Sequence, residues 1–380
     1  MADAVGVSAR LRSALAAKDR DGLLAVAAQL KELAPAERLE LVCDSDCVGQ
    51  LDASDRWGPR FGAAACRMQD KSCVWEALAA LTDIRPPPLR DMATHFGDPE
   101  LLSELVAGLG GGQPDGARML ACMCCRNLGR VSKIRGMLER AIGPLVETLS
   151  DTGGELVGPA AAALCNVACT PAGKDQAVAE GAVPKLLAAI RTEEKPQAAD
   201  DMVACIGVLT SGFSRGAEAV LASEEGVAPL LEALRTRHPA LSSTILEVLG
   251  DLARALGTSG QLAPALAADA KLATEDLPHL VASPEAEVRG GALKLVALLW
   301  EIHGFRSRFV SSGGYKALQA AADFEPPALP TPPSPAVFRQ RALAPGKLQL
   351  CNPGCADRCC FGEASGLRGV RAPSRREIAE

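Results

Sequence analysis

The chain has 380 residues, a formal charge of −6, 48% hydrophobic residues and only 3% aromatics. That acidic balance excludes a general nucleic-acid binder, which needs a basic surface. An apolar mass made of Ala, Leu and Val suits closely packed helices, whereas β-sandwich cores prefer aromatic and β-branched residues, so an all-α fold is expected. No uninterrupted apolar run approaches the roughly 18 residues of a membrane span. The best of them, Gly291 to Trp300, is broken by Lys294, so no membrane partner is expected. Asp3 and the lack of an apolar run behind it argue against a secretory leader. Cys122, Cys124, Cys125, Cys165, Cys169 and Cys205 lie inside apolar helical patterns, where free thiols behave as small hydrophobes in a reducing setting. The compartment expected is the cytoplasm, with the nucleus also open.

Residues 8–42 read as two or three amphipathic helices, with Leu23, Leu24, Val26, Ala27 and Leu30 at helical spacing and Pro35 opening the next. Asp44 to Pro59 reads as loop, and Arg60 to Ile84 regains helical character through Val74, Leu78 and Leu81. Pro86-Pro87-Pro88 breaks any helix, so residues 1–88 form a helical N-terminal region with room for one degenerate repeat.

From Asp98 a repeat becomes legible. Leu101 to Leu109 reads as a second helix, Gly108 to Gly116 as a loop and Gly116 to Arg130 as a third helix. That third helix returns at Val157–Ala168, Gln197–Gly212, Leu241–Gly257 and Glu285–Gly304. Gly212, Gly257 and Gly304 are expected to close their helices in the left-handed conformation. Ser283 and Pro284 are expected to open the last one as N-cap and first helical residue. The fullest unit is Val157 to Ile190: a helix of small apolar residues ending near Cys169, a short polar helix, then a Gly-Ala-Val-Pro turn into a third. The prolines of that turn, Pro144, Pro184, Pro229 and a weaker Pro278, are 40, 45 and 49 residues apart. Gly313 to Leu318 reads as half a repeat covering the end of the stack, since an open end would expose core.

After Ala322 the composition shifts. Residues 325–350 carry a proline-rich linker, and residues 351–380 a cysteine-containing tail expected to be disordered, too small to bury a core unaided.

The helix trio with its Gly-Pro turn resembles an armadillo repeat, whose period is about 40 to 47 residues. The resemblance implies a right-handed α-solenoid of about five armadillo/HEAT-like repeats over residues 89–324. It implies third helices lining a concave wall, where an asparagine near the end of each holds the backbone of an extended peptide. That position falls at Asn127, Asn166, Gly207 and Asp251, and then near Leu299. One turn earlier stand Met123, Ala162, Val203 and Glu247. These cannot form aromatic slots for lysine stems, which argues against a nuclear-import cargo receptor. For Asn127 and Asn166 a hydrogen bond to the neighbouring repeat is equally open. Asp200, Glu247 and Asp251 give the later groove an acidic character that fits a basic partner, or else an ordinary solvated face. The function implied is a non-catalytic scaffold for a protein or peptide partner, without nucleic acid and without a cofactor.

Gly212-Phe213-Ser214-Arg215-Gly216 matches a nucleophile elbow, but the elbow needs a strand before it and a helix is expected there. The four histidines are scattered, and Gly108 to Gly112 lacks the Lys and Ser/Thr of a phosphate loop. Cys351, Cys355, Cys359 and Cys360 have spacings that can meet tetrahedral zinc, and Cys351 to Cys355 resembles the opening of a MYND-type finger. Residues 361–380 lack the rest of that module, so a zinc-dependent adaptor and a metal-free tail both stand. Cys43, Cys47, Cys66 and Cys73 form a second, weaker set. A chaperone cofactor is a further reading, from a loose similarity over Glu287 to Leu318 with Phe305 and Phe309.

Overall fold

The computed structural model describes residues 4–42, 56–85, 87, 89–150, 154–236, 239–255 and 262–322. The described residues are helical, without strands. They fall into two compact units. The first comprises Met1–Leu209 with Ala222–Pro229, and the second Thr210–Leu221 with Leu230–Glu380.

The first unit begins with a helix pair, α1 (Ala4–Ala17) and α2 (Arg20–Glu32). Trios follow: α3 (Pro35–Val42), α4 (Trp57–Arg67) and α5 (Ser72–Thr82); α6 (Leu89–Phe96), α7 (Pro99–Gly108) and α8 (Asp115–Leu128). The next are α9 (Ser132–Met137), α10 (Ile142–Thr148) and α11 (Val157–Val167), then α12 (Pro171–Ala179), α13 (Ala182–Thr192) and α14 (Pro196–Thr210). The second unit holds α15 (Ser214–Ala222), α16 (Ala228–Thr236) and α17 (Pro239–Ala255). It continues with α18 (Leu262–Ala268), α19 (Leu277–Val281) and α20 (Ala286–Leu299), and ends on the pair α21 (His303–Ser311) and α22 (Gly314–Ala322).

Third helices stack on third helices, α5 on α8 and α8 on α11 in the first unit and α17 on α20 in the second, and α2 of the opening pair stacks on α5 in the same way. The row therefore starts inside residues 1–88 rather than at residue 89. Composition makes the close stacking possible. In α11 all but Pro159 and Asn166 are buried, and Gly158 with the run Ala160 to Ala163 makes its middle small-sided, so neighbouring axes approach without large side chains between them. At Gly158 an added Cβ would lie 2.8 Å from the Cβ of Ala198 on α14.

Polar contacts cross between repeats at one repeat's separation. Lys185 Nζ donates to the Val146 carbonyl at 3.1 Å, 39 residues away, and Cys124 Sγ to the Trp75 carbonyl at 3.3 Å, 49 residues away. Such a nearest-neighbour pattern defines a stacked repeat protein. Helix starts are set locally. The Asp98 carboxylate accepts from Leu101 N and the Thr170 hydroxyl from Gly173 N, each at 2.9 Å and each followed by proline at the first helical position.

Several expectations are corrected. The segment ending at Pro59 is not all loop, because α4 starts at Trp57. Trp57 is 1% exposed, donates its indole N–H to the Leu41 carbonyl at 3.2 Å and lies under the Arg12 guanidinium. Pro59 stands in the first turn, where its missing N–H has no intrahelical partner to lose. Arg60 to Ile84 is two helices, parted at Met68 to Lys71. The helix expected from Glu285 to Gly304 ends at Leu299, and Gly304 lies within α21. Ser283 and Pro284 do not open α20: the N-cap residue is Glu285, and Ser283 Oγ accepts from Glu285 N in a turn before the helix. Gly212 does adopt a left-handed backbone, at φ 62°, while Gly257 lies outside the described residues.

Candidate functional site

The residues singled out from the sequence divide between the units. Met123, Asn127, Ala162, Asn166, Asp200 and Val203 belong to the first, Glu247 and Asp251 to the second. Within the first, Asn127, Ala162 and Val203 are turned inward, 1%, 5% and 0% exposed, whereas Met123, Asn166 and Asp200 are half-buried at the surface.

The two asparagines differ. Asn127 Nδ2 donates to the Ala79 carbonyl at 3.2 Å and to Thr82 Oγ1 at 3.3 Å, both on α5. Its Oδ1 is enclosed and accepts nothing. This amide ties one repeat to the one before. Asn166 Nδ2 donates to the Arg126 carbonyl on α8 at 2.8 Å. That leaves the amide oxygen of a half-buried side chain as an acceptor on the third-helix surface.

Around Asn166 the first unit gathers charge that sequence reading overlooked. Arg85 follows α5, Arg126 lies on α8 and Arg130 just beyond it, with Asp83 and Asp201 nearby. Burial lowers the Arg126 guanidinium, and the field of Arg85 adds to this against Asp83 and Asp201. Burial, with Arg85 and Arg126, brings Arg130 down to about 10. Burial also raises the Asp201 carboxyl to about 6, although Arg126 pulls the other way. A signal existed: Met119, Leu120, Met123 and Arg126 recur at helical spacing along the half-buried surface of α8, and Arg130 follows just beyond its end.

In the second unit, Glu247 is exposed on α17 and Asp251 follows one turn later. Exposed as the residue is, partial desolvation of its carboxyl by the neighbouring helix raises Glu247, with Asp251 and Glu287 reinforcing this and Lys294 and Arg254 opposing it. Asp251 is ion-paired with Arg254, three residues on.

Ser214 is the first residue of α15, and the segment before it is α14, so no strand-to-helix elbow exists there. Phe305 and Phe309 are fully buried and stacked, with ring centroids 5.7 Å apart. Cys351, Cys355, Cys359 and Cys360 lie outside the described residues, as do Cys43 and Cys47. Cys66 is exposed and donates to Glu100 at 3.2 Å, while Cys73 is buried. Among the described residues no three His, Cys, Asp or Glu side chains are grouped to hold a metal ion, and no helix is long and apolar enough to cross a membrane.

No protein-family model matches the chain, and no curated protein matches it. Solved structures do. An engineered protein superposes with a TM-score of 0.65 at 19% identity, covering 83% of this chain and 73% of its own. A designed armadillo repeat protein gives 0.54 at 20% identity, over 64% of this chain and 99% of that one. Another designed armadillo repeat protein, in complex with the peptide (KR)4, gives 0.50 at 14% identity over 64% and 98%. The fold is thus an all-α helical-repeat solenoid. Its particular type is the armadillo repeat.

Proposed function

We propose that this protein is a non-catalytic scaffold that holds an extended segment of a partner polypeptide on its third-helix surfaces. The observation that carries this is Asn166. Its Nδ2 is fixed by the Arg126 carbonyl, which orients the amide so that Oδ1 can accept a backbone N–H from a chain lying across the helices. An amide contact of that kind holds a peptide without reading its side chains. Repeat surfaces gain affinity by adding many such modest contacts.

In the second unit, Glu247, Asp251 and Glu287 influence one another from α17 and α20, and they favour a basic segment there. The armadillo-type neighbour bound to (KR)4 supports that choice of probe. Titration of a fluorescent (KR)4 peptide against the full chain tests it by anisotropy. Glu247→Lys is expected to weaken binding about tenfold, and Glu247→Lys with Asp251→Lys further. Equal affinity in both variants removes the basic-segment assignment.

A further inference from the structure

We propose that a cavity in the first unit, between the start of α11, the end of α13 and α14, receives an apolar side chain of a partner protein whose neighbours in that partner are basic. This goes beyond the third-helix surface described above, because the cavity opens among the segments that join second helices to third. It measures about 300 Å³. That is the small end of the roughly 300–1,000 Å³ of ligand clefts, a size for side chains rather than for a cofactor. Val157, Ala189 and Met202 line it, and all three are buried. Beside Val157, and one turn before Met202, α11 and α14 touch at Gly158 and Ala198, where an added Cβ would lie 2.8 Å from its neighbour. The two helices cannot draw closer there to fill the space. An apolar side chain entering it leaves water and gains contact with all three residues.

The charged lining selects what flanks that side chain. Among the described residues, Glu155, Glu193 and Glu194 bring carboxylates to the cavity and Lys195 brings the one ammonium. Lys195 Nζ pairs with Glu155 at 3.3 Å, and both side chains are mostly exposed, at 65% and 81%. A surface pair of that kind contributes little and yields to a competitor. Glu193 Oε1 accepts from Lys195 N at 2.8 Å, which holds that carboxylate beside the cavity. Arg191, the next cation along the chain, does not neutralise the site, because it donates to both carboxylate oxygens of Glu225, at 3.1 and 3.2 Å. The C-terminal carbonyls of α13, which ends at Thr192, add partial negative charge. Anionic and phosphorylated ligands are therefore repelled. Lysines on either side of an apolar residue are attracted, and their methylene stems can lie along the apolar wall. A free polyamine brings the charge but no branched apolar group for the buried lining.

The test follows the Met202 methyl group by NMR in the full chain labelled at methionine, where seven methionines keep the spectrum sparse and Met202→Leu assigns the signal. The probes are acetylated seven-residue peptides, Gly-Ser-Lys-Leu-Lys-Ser-Gly and its versions with Lys-Ala-Lys or Gln-Leu-Gln at the centre, and spermidine. The Lys-Leu-Lys peptide is expected to shift the signal saturably, and each of the other probes to bind at least tenfold more weakly. Glu155→Gln with Glu194→Gln, both at exposed positions, is expected to weaken Lys-Leu-Lys about tenfold. Lys195→Gln removes the competing ammonium and is expected to tighten it two- to threefold, which a purely structural role for Lys195 would not do. Glu247→Lys is expected to leave the Met202 response unchanged, so failure of the basic-segment reading and failure of the cavity are read separately. The proposal is overturned by the absence of a saturable shift, by Lys-Ala-Lys, Gln-Leu-Gln or spermidine binding as well as Lys-Leu-Lys, or by affinity that ignores the glutamate variants.

Discussion

Asn127 reaches back 48 residues to donate its Nδ2 to the Ala79 carbonyl oxygen, at 3.2 Å, near the end of α5. Asn166 makes the corresponding reach to the Arg126 carbonyl over 40 residues, at 2.8 Å. The same residue type, at matching positions of successive third helices, is sealed in the first case and at the surface in the second.

The two asparagines should therefore separate stability from binding. Asn127→Ala removes two enclosed hydrogen bonds, to the Ala79 carbonyl and to Thr82 Oγ1, and is expected to cost about 1–3 kcal/mol, read as a lower urea midpoint. Asn166→Ala removes one partly exposed hydrogen bond, expected at about 1 kcal/mol or less, but should weaken peptide binding several-fold. Equal stability losses in the two variants would contradict the difference in burial.

Two glycines should respond in opposite directions to one methyl group. At Gly158 a Cβ meets the Cβ of Ala198 at 2.8 Å and its Cα at 3.2 Å. The obstacle is the Ala198 methyl with the Cα that carries it, and neither can swing aside by a rotamer change, so Gly158→Ala is expected to destabilise by about 1–3 kcal/mol despite its better helix propensity. Gly290, on α20, has nothing within 4 Å of that position, and Gly290→Ala is expected to stabilise by up to about 1 kcal/mol. Thermal unfolding of the two variants checks both signs.

Asp201 should make stability depend on pH. Burial raises its folded-state value from 3.8 to about 6, so between those values the native state binds more protons than the unfolded chain. Stability contributed by this site then falls as pH rises through that window, and the penalty is complete above about 6. Asp201→Asn keeps an acceptor for Gln197 and removes the buried charge. It is expected to stabilise by on the order of 2 kcal/mol at neutral pH and to lose that advantage near pH 4. The groups acting on Asp201 are Arg126, Asp200, Gln197 and Arg85. An advantage that does not shrink on acidification would show that another group dominates.

Much of this was legible in the residues. The recurrence of Pro144, Pro184 and Pro229 marked the repeat, and the alanine run from Ala160 to Ala163 marked a helix built for close neighbours. The helix starts at Asp98-Pro99 and Thr170-Pro171 follow from local chemistry alone. The break in the Arg60 to Ile84 stretch was less visible, because Met68 to Lys71 contains no glycine or proline to announce it.

The sequence by itself determined the helix trio, its period and the small residues that let third helices touch, because these depend on spacing along one chain. Only the tertiary structure decided that Asn127 is enclosed, that Asn166 is open on one side, and that Arg85 joins Arg126 and Arg130 from the repeat before. The reason is physical: helical periodicity says which residues share a side of one helix, but how each repeat rotates against its neighbour decides which side is covered and which charges meet.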